Sequence, residues 1–261
     1  MWERLRNFLE QREAENHLFL GVLSSAPEGT RPVLVEENEE IKAACIFVER
    51  NVVAAGDRLR AAQLVSQWEI DAPGVVARAD LASAWSEQWT KKRGCQAHLA
   101  VSQRIFRLNK VIRPGPTPGR LRLAGLEDLA ILTEWIEGFD REALAHERSP
   151  RAQIESWAVR RARSGMTYFW EVEGRPVSMA ALARPSRNAI CVNLVYTPEA
   201  DRGRGYASAV VAGVSQEGLD QGFEFCTLYT DLSNPTSNSI YAKLGYQPVC
   251  DSRHYQFTYS A

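Results

Sequence analysis

The sequence lacks any apolar run near the roughly 18 residues that a membrane-spanning helix needs, and the longest run near its start covers only Leu18–Leu23. It also lacks an excess of either charge, because 31 basic and 32 acidic residues leave a net charge of −1. The absence of a basic stripe or polybasic segment argues against a nucleic-acid or membrane partner. The first residues, Met1–Leu5, mix charges and lack a signal-peptide core, so we expect a cytoplasmic protein.

Cysteine and histidine are scarce as well. The five cysteines include no pair at C-x-x-C spacing, most of them lie in apolar runs, and the four histidines are scattered. This distribution favours buried structural thiols over a disulfide framework or a zinc site. We therefore predict no metal cofactor, and the cysteines are unattractive as nucleophiles.

What the sequence does contain is an ordinary globular composition over 261 residues, with 45% hydrophobic and 24% charged residues. One short segment, residues 113–119, is dense in proline and glycine. Such a segment cannot continue a helix or a central strand. We predict that it links two domains, residues 1–112 and 120–261.

Hydrophobic periodicity predicts a mixed α/β chain in both parts. Before the linker we predict helices at 2–12, 57–68 and 78–92, a loop at 72–74, and strands at 32–36, 43–48, 52–55 and 98–108. After it we predict helices at 126–137, 149–164, 205–221 and 235–244, and strands at 121–124, 166–172, 177–183, 189–196, 223–230 and 253–259. The strand 189–196 is apolar on both faces except at Asn193, which is typical of a central strand.

The loop after that strand, residues 197–207, ends in Arg-Gly-Arg-Gly-Tyr-Ala. The start of a helix leaves unpaired N–H groups with a partial positive charge, and glycines let a backbone approach an anion closely. The loop therefore favours a ligand that carries phosphate, the alternative being a glycine turn with solvated arginines. It is neither a P-loop, which ends in Gly-Lys-Ser/Thr, nor a G-x-G-x-x-G loop, because Ser208 stands where the third glycine would be.

A second segment, residues 234–246, predicts a short helix. Asn234 suits the N-cap, Pro235 the first helical position and Gly245 the position after the end. Helical spacing places Asn234, Asn238 and Tyr241 on one polar face.

Together the two segments resemble the acyl-CoA-binding motifs of the GNAT-type N-acetyltransferases, R/Q-x-x-G-x-G/A and N-x-x-S/A-x-x-x-Y-x-K-x-G-F/Y. The resemblance covers about residues 120–261, and the whole chain resembles two-domain bacterial members with a degenerate first module. It implies an α/β (α+β) fold with a central mixed, mostly antiparallel sheet flanked by helices, in two similar modules. It also implies an acyltransferase that moves an acetyl group from acetyl-CoA to a primary amine by direct attack in a ternary complex.

The resemblance implies a role for each matching residue. Main-chain groups near Leu194, Val195 and Tyr196 would bind the pantetheine arm, and Asn234 or Asn238 would bond the pantetheine or pyrophosphate region. The pyrophosphate would lie on the backbone amides of Arg202, Gly203, Arg204, Gly205, Tyr206 and Ala207. Tyr241 would act as the general acid that protonates the departing thiolate, the alternative being a core aromatic residue.

In the first module, the resemblance places the corresponding loop at residues 72–77. That segment contains no G-x-G and no pair of arginines, so we expect no CoA site in residues 1–112. The N-terminal part shapes the acceptor pocket, makes the interface between the two domains, or is purely structural.

Other features leave alternatives open. Candidates for the base that takes the amine proton are Glu142, His146, Glu147 and Glu171, with Asp231 better suited to a cap or turn. Four aromatic residues either line an acceptor pocket or form core, namely Trp135, Trp157, Phe169 and Trp170. Asn193 either faces the cleft or satisfies the backbone at a bulge. The acceptor and the choice between monomer and homodimer stay open. The alternative functions are an acyl-CoA-binding sensor without turnover and an interaction scaffold.

Overall fold

The computed structural model describes residues 1–48, 51–143 and 149–259. Up to residue 108 the chain forms the helices α1 (Trp2–Glu10), α2 (His17–Ser24), α3 (Ala61–Gln67) and α4 (Ala79–Arg93). The strands of this N-terminal half are β1 (Val33–Glu37), β2 (Glu40–Val48), β3 (Asn51–Gly56), β4 (Gly74–Arg78) and β5 (Gln96–Leu108).

The C-terminal half follows the segment that is rich in proline and glycine. Its helices are α5 (Leu129–Ala143), α6 (Arg151–Arg163), α7 (Tyr206–Asp220) and α8 (Pro235–Lys243). Its strands are β6 (Arg120–Leu123), β7 (Thr167–Val172), β8 (Arg175–Ala183), β9 (Ala189–Tyr196), β10 (Phe225–Asp231) and β11 (Gln247–Thr258). No helix among the described residues is both long enough and apolar enough to span a bilayer.

All of these strands join one 11-stranded sheet in the order β1-β2-β3-β4-β11-β5-β10-β9-β8-β7-β6. Neighbouring strands are antiparallel except for β3 with β4 and β9 with β10, which are parallel. A helix connects the strands of each parallel pair, as parallel geometry requires. The predicted fold class, a mixed and mostly antiparallel sheet flanked by helices, is confirmed.

The two halves repeat one order of elements and exchange their last strands. In each half a parallel pair is followed by a helix and a long strand, which is β5 in the first half and β11 in the second. Strand β5 pairs with β10 of the C-terminal half, whereas β11 pairs with β4 of the N-terminal half. The two exchanged strands also pair with each other, from Gln247 opposite Arg107 to Thr258 opposite Gln96. The domain division at residues 113–119 stays a prediction. The pairings of β5 with β10 and of β4 with β11 join the two predicted domains in one sheet.

Helices cover both faces of each half-sheet, because alternate residues of a strand point to opposite sides. Ala43 and Cys45 pack under α3 and α4 together with the stacked pair Trp85 and Trp89. On the other face, Ala44 packs among residues of α1 and α2. In the C-terminal half, α7 and α8 cover one face, and α5 and α6 cover the other.

Two local expectations for the N-terminal half were wrong. Residues 74–78 form strand β4. Most of the segment 72–77 is therefore a strand and not a loop that corresponds to the phosphate loop. Its run of small and β-branched residues is buried beside β3, as suits a parallel strand. The element that corresponds to the phosphate loop lies between β3 and α3, at residues 56–60. Residues 17–24, for which we predicted no helix, form α2.

Candidate active site

The parallel strands β9 and β10 part from each other near the middle of β9. Their pairing is confined to Ala189–Cys191 opposite Phe225–Thr227. Beyond that point β9 also loses its register with β8, because Asn193 pairs with Ala181 but Tyr196 pairs with Met179. Leu194 lies in this bulge with a φ of 53°, a conformation that a residue other than glycine adopts only at a cost. Leu194 and Val195 therefore have no partner residue on β8.

The loop that leaves β9 reaches α7 through two glycines in the left-handed region. Gly203 has a φ of 76° and Gly205, the N-cap of α7, a φ of 83°. A side chain at either position would be strained by this backbone conformation. The turn therefore presents the first N–H groups of α7 at the same end of the sheet as the bulge.

Asp201 anchors this loop to strand β8 through Arg175. Its buried carboxylate accepts hydrogen bonds of 2.8 and 2.7 Å from both terminal nitrogens of Arg175, and these bonds lower the pKa of Asp201. Arg204 lies 4.0 Å from the same carboxylate and stays more than half exposed. Arg202 donates to the Thr197 carbonyl at 2.9 Å and to the Glu142 carboxylate at 2.6 Å. Glu142 is thus held as an ion-pair partner of the loop.

Helix α8 begins beside the end of β10. The side-chain amide of Asn238 donates to the carbonyls of Asp231 and Asn234 at 3.1 and 2.8 Å. Its oxygen is buried and has no hydrogen-bond partner among the described residues. The carboxylate of Asp231 accepts from the backbone and hydroxyl of Ser233, so it acts as the turn residue that we predicted. Asn238 thereby offers a buried acceptor to a donor on a ligand.

Tyr241 lies in an aromatic cluster that spans both halves of the chain. Its side chain is 7% exposed, and its ring centroid lies 6.3 Å from that of Phe106 on β5 and 6.0 Å from that of Tyr246. Tyr246 in turn exchanges a hydrogen bond with the Ser215 hydroxyl on α7. The role of Tyr241 as a general acid stays a prediction.

A cavity of about 460 Å³ opens on the other face of the bulge, between α5 and α6. Asn193 and Leu194 form its floor, and Phe139, Trp157 and Arg161 are among the residues of its walls. In the orientation that satisfies both of its polar atoms, the Asn193 amide donates to the Ala181 carbonyl and accepts from Arg161, each at 3.3 Å. Asn193 therefore serves the backbone at the bulge and also faces the cavity.

Comparison with known proteins assigns this site to a family. Residues 129–246 match the model of the acetyltransferase (GNAT) family, and this range contains the bulge, the glycine loop and α8. These residues form a GNAT domain. No curated protein matches the sequence.

Solved structures extend the same fold over both halves of the chain. A GNAT-family acetyltransferase from Colwellia psychrerythraea is 12% identical, with a TM-score of 0.59 over 97% of this chain and 96% of that one. A GCN5-related N-acetyltransferase from Kribbella flavida is 15% identical, with a TM-score of 0.63 and 94% of each chain covered. Another from Sphaerobacter thermophilus is 16% identical, with a TM-score of 0.63 over 94% of this chain and 90% of that one. At identities this low, the structural likeness shows that the fold is shared and nothing more.

The other predicted candidates in the GNAT domain lie in different settings. Glu171 is buried, and hydrogen bonds from Arg120 and Arg122 lower its pKa. Trp135 and Phe169 pack edge to face in the core, whereas Trp157 lines the cavity. The indole of Trp170 donates to the Pro118 carbonyl at 2.7 Å. His146 and Glu147 lie outside the described residues. Of these candidates, Trp157 is the one that lines the cavity between α5 and α6.

Several polar residues near the site were not predicted from the sequence. Arg161 follows Ile154 and Ala158 on the buried face of α6, so a charge at a core-facing helix position was the available signal. His17 lies at the start of the unpredicted helix α2. Arg184 follows β8 with a φ of 51°, which no local pattern indicates.

The cysteines of the chain are structural. Four are buried and Cys250 is partly buried, and none forms a disulfide. Burial raises the pKa of Cys226 to about 12, so its thiol is a poor nucleophile. The described residues contain no cluster of side chains with the composition of a metal site.

Proposed function

We propose that this protein is an acetyl-CoA-dependent N-acetyltransferase that moves the acetyl group to a primary amine by direct attack in a ternary complex. The GNAT family uses acetyl-CoA as its co-substrate. The observation that carries the proposal is the juxtaposition of two features at one end of the sheet. One is the turn with left-handed Gly203 and Gly205 at the start of α7, and the other is the strained bulge at Leu194.

The chain's own groups fit the parts of such a ligand. Backbone N–H groups of residues 202–207, with the partial positive charge of the α7 N-terminus, suit a pyrophosphate. The backbone of residues 194–196 at the bulge suits the amides of a pantetheine arm. The unpartnered oxygen of Asn238 adds one acceptor for an N–H donor.

Two side chains supply the proton transfers in this proposal. Tyr241 donates a proton to the departing thiolate, which a phenol can do near neutral pH. The acceptor amine has to lose a proton, and Asp140 is a carboxylate that lines the cavity beside the bulge. Asp140 is held in place by hydrogen bonds of 3.0 Å from the backbone and the hydroxyl of Ser149.

Binding is tested by thermal unfolding with acetyl-CoA, with NAD as the control nucleotide. A ligand at about 100 times its dissociation constant adds about 2.7 kcal/mol to the free energy of unfolding, which for a chain of this size raises the melting temperature by about 5–10 °C. Gly205→Ala should abolish most of this shift. The matched control is Gly222→Ala, since Gly222 also has a positive φ but lies beyond the other end of α7.

Equal loss of the shift in both glycine variants would show a general effect of strain and not a binding loop. No shift in the unsubstituted protein would favour the interaction scaffold.

Turnover is tested with Tyr241→Phe, which should lower kcat by about 100-fold or more while leaving the affinity for acetyl-CoA unchanged. The control is Tyr246→Phe, which removes a hydroxyl from the same cluster and should leave kcat unchanged. An unchanged kcat in Tyr241→Phe removes the assigned role. Binding without turnover on any amine would identify the protein as an acyl-CoA sensor.

We further propose that the N-terminal half carries no CoA site. The turn between β3 and α3 has one glycine with positive φ, Gly56, where the loop before α7 has two. In this turn the backbone N–H of Leu59 already donates to the Asp57 carboxylate at 2.9 Å. Calorimetric titration should therefore give one acetyl-CoA per chain, and two per chain would contradict this proposal.

A further inference from the structure

We propose that the acceptor is an amine that also carries a carboxylate, and that Arg161 binds this carboxylate in the cavity beside the bulge. This inference rests on the proposed function for its assignment of the cavity to the acceptor. It goes further by naming the chemical class of the acceptor.

The first argument is the unbalanced charge of Arg161. Among the described residues, its guanidinium makes hydrogen bonds only to neutral oxygens, the Asn193 amide at 3.3 Å and the Leu182 carbonyl at 3.4 Å. Burial and the neighbouring Arg184 lower the pKa of Arg161. A buried charge without an opposite partner is costly, so proteins retain one where a ligand compensates it.

The second argument is that another partly buried arginine, Arg184, lies behind Arg161. Arg184 donates to the Cys191 sulfur at 3.1 Å, and its guanidinium lies 5.7 Å from the centre of the Tyr229 ring. Helix α2 covers it at Gly21, where a Cβ would lie only 2.6 Å from the Arg184 side chain. Helix α2 therefore packs closely on the Arg184 side chain, and the charge of Arg184 adds to the field at Arg161.

No acidic residue in the described part of the chain neutralises this pair. Arg160, which also lines the cavity, likewise has no ion-pair partner among residues 1–48, 51–143 and 149–259. The carboxylate of Asp140 lies in the same cavity, but it accepts from Ser149 and forms no ion pair with the arginines. Arg122, which is also partly buried, is by contrast paired with both Asp128 and Glu171.

The shape and chemistry of the cavity fit a small zwitterionic molecule. The guanidinium of arginine matches a carboxylate in a bidentate geometry. Phe139 and Trp157 provide apolar walls for the carbon skeleton that joins the acid to the amine. A volume of about 460 Å³ holds a molecule of the size of an amino acid.

The experiment compares a series of amino acids with their primary amides as acetyl acceptors, using thiol release from acetyl-CoA as the assay. The amide keeps the shape and the amine but removes the negative charge. We expect the acids to have the higher kcat/KM, by about 10- to 100-fold for a charge-assisted contact. In Arg161→Gln this preference should disappear, while the affinity for acetyl-CoA stays unchanged. The control Arg163→Gln removes an exposed arginine from the same helix and should leave the preference intact.

Amides that react as well as the acids would overturn the inference, as would an equal loss for both in Arg161→Gln. A second readout separates it from the proposed function. If no compound is acetylated, the proposed activity fails, and the inference is then judged by the rise in melting temperature with acids and amides. A rise with an acid that is lost in Arg161→Gln supports the carboxylate site, and no rise with any acid refutes it.

Discussion

The stability of the protein should depend on pH through His17, which ties α2 to the sheet of the C-terminal half. His17 is fully buried, with Nε2 lying 2.7 Å from the Arg184 carbonyl oxygen and Nδ1 in contact with the Thr227 hydroxyl. Because a carbonyl can only accept, Nε2 carries the hydrogen and Nδ1 accepts from Thr227. The neutral form of His17 therefore satisfies both contacts, whereas the protonated form would place a buried positive charge near Arg184.

The size of the effect follows from the pKa of His17. Burial, and then the charge of Arg184, lower this pKa from the ordinary 6.5 to about 4. Between these values the unfolded chain binds a proton that the folded chain does not. The contribution of His17 to the free energy of unfolding is thus fully present above pH 6.5 and is lost as the pH falls toward 4. At about 1.4 kcal/mol per pKa unit, the loss between pH 7 and pH 5 is about 2 kcal/mol.

Urea unfolding at pH 7, 6 and 5 measures this loss when the protein is compared with His17→Gln. The variant cannot titrate at this position, and at pH 7 it should be less stable by about 1–3 kcal/mol because Thr227 loses its acceptor. Its stability should then fall by about 2 kcal/mol less than that of the unsubstituted protein between pH 7 and pH 5. The control His98→Gln replaces an exposed histidine on β5 and should not alter the pH dependence. Parallel pH profiles for His17→Gln and the unsubstituted protein would refute the reasoning.

Three further predictions concern the loop, α2 and the exchanged strands. Asp201→Asn removes the charged acceptor of Arg175, so it should lower the free energy of unfolding by about 1–3 kcal/mol and weaken acetyl-CoA binding several-fold. An unchanged affinity in calorimetric titration would contradict this. Gly21→Ala should lower the melting temperature despite the better helix propensity of alanine, because the added Cβ would lie 2.6 Å from the Arg184 side chain. A fragment of residues 113–261 lacks β5 and should not unfold cooperatively alone, whereas co-expression with residues 1–112 should restore a cooperative transition; a sharp melt of the isolated fragment would show that β5 is dispensable.

Local pattern was sufficient for most elements of the C-terminal half. Strand β9 has the predicted bounds, and α7 begins and ends within one residue of the prediction. Both segments have strong periodicity and clear terminal residues, which are local properties. The glycine loop was recognisable for the same reason, since positive φ restricts the choice of residue.

The features that the sequence could not reveal depend on contacts between distant residues. The pairing of β5 with β10 and of β11 with β4 joins strands whose patterns would suit many neighbours. The charged pair Arg161 and Arg184 becomes recognisable only once α6 is placed on the sheet. Of the candidate bases, Glu142 and Glu171 are engaged by arginines, which sequence spacing did not indicate.

The exchange of β5 and β11 also sets when the protein can fold during synthesis. Strand β4 is complete at Arg78, but its neighbour β11 begins only at Gln247. At about 5–20 residues per second, a ribosome needs about 10–30 s to make the intervening stretch. Throughout that time the nascent N-terminal half holds an open strand edge, of the kind that recruits foreign strands. Its sheet therefore closes only after β11 has been made, and a chaperone that shields this edge on the ribosome would raise the yield of folded protein.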